Sequence, residues 1–164
     1  MISKIHKQEH KRFLIKSYKY LWQLEEAIKG IRQITTKQPQ LSVLGKFGED
    51  CIADDKGIIN SKKEMKRYWK GSLGANSHFG LFCNPEIGTL FIAGALVSQF
   101  LNDMDGKALG AITSGPYGIL RGLGIKEKKA TSYLKSLNNG DFLILIRGYD
   151  YELDKMTTLF ESRR

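Results

Sequence analysis

Apolar positions along the chain switch repeatedly between period two and period 3.6, and those switches outline its elements. RFLIKSY (12–18) reads as a short strand, after which Leu21, Leu24, Ala27, Ile28, Ile31 and Ile34 recur at helical spacing. Pro39 interrupts, and LSVLGKF (41–47) resumes as a second strand, which predicts a strand-helix-strand unit with a parallel strand pair. GEDCIADDKGIIN (48–60) is acidic and punctuated by glycine, the pattern of a connecting loop or hairpin. Ser61-Lys-Lys-Glu64 fits a capping box, so a helix is predicted to start there and to end at Gly71 and Gly74. Met65, Tyr68 and Trp69 form one face of it, with Lys62, Lys63, Lys66, Arg67 and Lys70 covering the rest.

HFGLFCN (78–84) and GTLFIAGALV (88–97) carry the β-branched and aromatic content of buried strands. Eleven of the chain's seventeen glycines lie between Gly71 and Gly124, a density that permits close backbone approach or sharp turns. Within this stretch Gly106, Gly110, Ser114, Gly118 and Gly122 are each four apart, a line along which two helices can pack backbone to backbone. Gly115 and Pro116 break that register, so two short helical pieces are expected rather than one long one. Ile125–Leu137 is the clearest helix, with Ala130, Tyr133, Leu134 and Leu137 on one face and Asn138-Asn139-Gly140 as its stop. FLILI (142–146) suits the middle of a sheet covered by helices, and Leu153, Met156 and Phe160 mark a terminal helix.

A length of 164 residues suits one domain with a real core. The net charge of +9 is unevenly placed, because residues 1–70 carry 16 Lys+Arg against 8 Asp+Glu and residues 71–164 carry 10 against 9. Lys4, Lys7, Lys11, Arg12, Lys16 and Lys19 form a basic arm opposed only by Glu9. Such a run suits either the phosphates of nucleic acid or a solvated face. Lys11, Arg12, Lys66, Arg67, Trp69 and Lys70 are the candidate nucleic-acid contacts, weighed against a core-facing aromatic stripe with a solvated basic back. No secretory signal is read at the N-terminus, and Ile87–Leu101 spans fifteen apolar residues against about 20 for a bilayer-crossing helix. A cytoplasmic protein with two reduced thiols, Cys51 and Cys83, is therefore expected, with peripheral membrane contact through Phe79–Phe100 as an alternative.

Chemistry-bearing motifs are sparse. Asp103-Met-Asp105-Gly106 opens like a calcium loop, but Lys107, Ala108 and Ser114 occupy later positions that the loop requires for a ligand, a glycine and a glutamate. A turn is the better account. Gly122-Leu-Gly124 before a helix, with Lys126 and Lys128 in its first turn, is a candidate anion site weighed against close packing of the helix entry. A Cys83–His78 dyad is opposed by strand alternation, which puts the two on opposite faces. No catalytic residue, metal, cofactor or small-molecule ligand is inferred. Gly106, Gly110, Gly118 and Gly122 remain as packing or membrane-facing glycines.

The succession of LSVLGKF, NPEIGTLFIAGALV and YGILRGLGIKEKKATSYLKSLNNGDFLILI resembles the YflT-like, heat-induced general stress protein family over residues 12–147. That resemblance implies a ferredoxin-like domain interrupted by a glycine-rich segment, an association with stress response, and no catalytic residues. In many relatives the segment looks like an uncharged, membrane-inserting hairpin, whereas this chain places Asn102, Asp103, Asp105 and Lys107 there. The expected fold is a single α+β domain over 1–164: a ferredoxin-like β-α-β-β-α-β sheet with a basic arm (1–11), a glycine-rich insertion (71–124) and a C-terminal helix. The expected function is non-enzymatic, acting through self-association, with a dimer favoured, or through a partner.

Overall fold

The computed structural model describes residues 10–48 and 56–162. Five strands form one sheet: β1 (Lys11–Tyr18), β2 (Gln40–Gly48), β3 (His78–Asn84), β4 (Gly88–Gly94) and β7 (Phe142–Tyr149), in the order β1-β7-β2-β4-β3. Every neighbouring pair is antiparallel. A two-residue pair, β5 (Asp103–Met104) and β6 (Lys107–Ala108), makes a separate small hairpin. The helices are α1 (Leu21–Ile34), α2 (Lys56–Leu73), α3 (Val97–Leu101), α4 (Gly115–Gly122), α5 (Glu127–Asn138) and α6 (Asp150–Ser162), with a 3-10 turn at Leu109–Ala111.

Strand alternation divides the core into two layers. Val43, Ile144 and Ala93 sit side by side on one face, while their chain neighbours Leu44, Leu143 and Ile92 sit side by side on the other. The first face is covered by α1, α2 and α6 through Leu24, Ile28, Ile31, Trp69, Leu153 and Met156. The second is covered by α3, α4 and α5 through Phe100, Ile119, Leu120, Ala130 and Leu137. A sheet buried on both faces requires apolar residues at successive positions, which is why FLILI carries no alternation.

The α+β class and the interior place of β7 between β1 and β2 agree with the sequence, and three local expectations are corrected. The first and second strands are parallel to each other, both being antiparallel to β7, but β7 separates them. Helix α2 begins at Lys56, so Ser61 is interior to it and does not cap it, and residues 56–60 are helical rather than loop. The stretch 49–55 lies outside the described residues. The small-residue line does not form a helix face: Gly106 turns the β5–β6 hairpin with φ +88° beside Asp105 at +54°, Gly110 sits in the 3-10 turn, and only Gly118 and Gly122 share a helix. Proline is tolerated at the start of α4, where an unbonded amide is expected in any case.

The glycine-rich segment works by contact as well as by turning. A side chain at Gly94, where φ is +105°, would overlap the Leu41 carbonyl, and one at Gly115 would overlap that of Leu109. Gly118 and Gly122, by contrast, face open space. The fifteen-residue apolar run is divided into β4, a turn and α3, with Phe91 and Phe100 buried on opposite faces. Among the described residues no helix is long and apolar enough to cross a membrane.

Candidate functional site

The residues singled out for nucleic acid fall into two separate places. Lys11 and Arg12 open β1, where the Arg12 guanidinium pairs with Asp150 and Asp154 and the Lys11 ammonium lies 5.0 Å from the Tyr149 ring centre. Lys66, Arg67, Trp69 and Lys70 lie on α2, which packs against β3 and β4 at the far side of the sheet. Trp69 is only 2% exposed and stacks on Phe91 at 5.6 Å, so it belongs to the core stripe rather than to a surface on which a base can lie. Lys62, Lys63, Lys66 and Arg67 are exposed, and none has an ion-pair partner among the described residues. The rest of the basic arm, residues 1–9, lies outside the described residues.

Gly122 closes α4, Gly124 supplies the turn into α5 with φ +94°, and Lys126 and Lys128 are exposed at the start of α5. Neither glycine has an atom near its missing side chain, so close packing does not explain them. Backbone conformation explains Gly124. On β3 the alternation puts His78 and Cys83 on opposite faces. Cys83 is disulfide-bonded, which corrects the expectation of reduced thiols; Cys51 lies outside the described residues.

The two sheet edges differ in chemistry. β1 carries Lys11, Arg12 and Lys16, and the Tyr133 hydroxyl donates to the Ile15 carbonyl at 2.7 Å. Charge and side-chain cover are the means by which edges resist further pairing. β3, HFGLFCN, has no Asp, Glu, Lys or Arg. Its only strand neighbour is β4, and from His78 to Phe82 no backbone group bonds to any other described element. Phe79 and Leu81 are half-buried along this edge.

The buried carboxyl of Glu152 is not visible in the sequence pattern. Glu152, near the start of α6, is 1% exposed. Its Oε1 accepts from the Thr36 hydroxyl at 2.6 Å and the Thr36 amide at 3.3 Å, and its Oε2 lies 3.8 Å from the Lys155 ammonium. The Thr36 hydroxyl does most to hold this carboxyl below its usual pKa, against the opposing effect of burial, with the Thr36 amide and Lys155 adding to the lowering. The contact ties α6 to the turn after α1, and 116 residues separate its partners.

No protein-family model, curated protein or solved structure matches the chain. The resemblance to the YflT-like family, and the stress association it implies, therefore rest on the sequence motifs alone.

Proposed function

We propose that the protein is a non-enzymatic module that self-associates by pairing β3 with β3 of a second copy. The observation that carries this reading is the uncharged edge from His78 to Phe82, whose outward backbone groups have no partner among the described residues. An antiparallel pair of these strands about a two-fold axis brings no like charges together, whereas β1 against β1 would set Lys11, Arg12 and Lys16 against their copies. Within each copy, β2-α2-β3-β4-α5-β7 is proposed as a ferredoxin-like core. The order β7-β2-β4-β3 supports that description; the placement of α2 and α5 on opposite faces departs from it.

Light scattering across micromolar concentrations tests the association. The mass is expected to rise from 18.6 kDa to twice that value, and Leu81→Lys, which puts an ammonium at the centre of the pairing, is expected to hold it at the monomer. Ser17→Lys on β1 is expected to leave the dimer intact. A monomer mass for the unaltered chain at every concentration overturns the proposal.

A second reading has its own observation, the four exposed cations of α2 without ion-pair partners. Helix α2 is then a phosphate-contacting face for nucleic acid, independent of Trp69.

A further inference from the structure

We infer that a recess above Arg147, on the face covered by α3, α4 and α5, is a binding site for a small organic acid with one carboxylate. Its floor is a row across three strands: Phe13 of β1, Arg147 of β7 and Gln40 of β2 are register partners and line the same cavity. Its walls come from the glycine-rich segment, with Gln99 and Asn102 on one side and Leu109, Ile119 and Leu123 supplying apolar surface. The recess is open to solvent on one side, with Arg147, Gln99 and Asn102 exposed, and has a volume of about 600 Å³, within the range typical of small-molecule sites.

The chemistry of the lining selects the ligand class. Arg147 is its only charged residue. One Nη of Arg147 donates to the Gln40 Oε1 at 3.4 Å, and the remaining guanidinium N–H groups have no carboxylate or other acceptor among the described residues. A guanidinium with open donors matches a carboxylate in shape and charge. A single cation balances a monoanion and leaves a phosphate dianion half neutralised. The side-chain amides of Gln99 and Asn102 make no hydrogen bond to the described protein and are available to the ligand's polar atoms. Gly122 borders the same cavity with open space where its side chain would stand. It has an ordinary helical backbone, so its lack of a side chain keeps the recess wide without serving any turn.

Titration calorimetry with benzoate and hexanoate, each against its uncharged amide and against inorganic phosphate, tests the site. At least one carboxylate is expected to bind, about tenfold tighter than its amide, the difference a charge-assisted pair makes. Arg147→Gln is expected to remove that preference. Gly122→Leu, which fills the recess from the end of α4 without backbone strain, is expected to abolish binding while circular dichroism stays unchanged. The inference is overturned if neither carboxylate binds at millimolar concentration, if the amides bind equally well, or if phosphate displaces benzoate at equal concentration. Unchanged binding by Gly122→Leu overturns it as well. None of these results depends on the oligomeric state, so the fate of the β3 pairing is read separately.

Discussion

Glu152→Gln is the substitution whose cost can be worked most directly from the structure. Glutamine keeps the shape and an acceptor for Thr36, but the two hydrogen bonds at 2.6 and 3.3 Å change from charge-assisted to neutral. That change costs about 1 kcal/mol for each bond. The new amide nitrogen occupies the place of Oε2, which is buried and has no hydrogen-bond partner among the described residues. A buried donor without an acceptor costs a further 1–3 kcal/mol or so. The expected loss is roughly 3–5 kcal/mol, a fall of about 6–20 °C in Tm for a chain of this size. Urea denaturation of both proteins across a pH series measures it. Because the folded carboxyl is held below its usual 4.5, its contribution is complete above that value and disappears as pH falls through the lower folded value. The gap between the two proteins is therefore expected to be constant from neutrality down to about pH 5.5 and to shrink below 4.5. A variant as stable as the parent at neutral pH, or a gap of the same size at about pH 3, refutes the reasoning.

Two further expectations separate glycines that look alike in the sequence. Gly94→Ala puts a side chain onto the Leu41 carbonyl at φ +105° and is expected to cost about 3 kcal/mol or more, whereas Gly118→Ala, in open space on α4, is expected to stabilise by about 0.5–1 kcal/mol. Thermal melts of the pair check both signs. For α2, single-stranded DNA is expected to bind at low salt and to weaken steeply as salt rises, with Lys66→Glu/Arg67→Glu removing the binding; no binding at low salt removes that reading.

Periodicity carried much of the fold because the strongest signals were local. FLILI, the Ile125–Leu137 helix and the pair of strands around Pro85 are each decided by residues within a few positions of one another. The sequence pattern starts α2 five residues late because Lys56-Gly57 has the composition of a loop, although a single glycine costs a helix only about 1 kcal/mol, which packing elsewhere offsets. The line of small residues misled for the opposite reason. Spacing by four is a helix signal only where the backbone is helical, and Asp105-Gly106 turns instead. Of the candidate site residues, Gly122 alone borders the recess. Phe13, Gln40 and Arg147 could not be grouped from the sequence, since only the register of three strands brings them into a row. The Glu152–Thr36 contact is hidden in the same way.

The position of β7 has a consequence for how the chain is made. β1 has one partner in the sheet, and that partner, β7, follows it by more than a hundred residues in the chain. At ordinary elongation rates β1 waits on the order of ten seconds, while more than a hundred residues are added, before the strand it pairs with exists. During that interval Lys11, Arg12 and Lys16 give the unpaired strand the charge that disfavours adding to another chain. A charged β1 is thus suited to an interval in which there is no folded sheet to which it can belong.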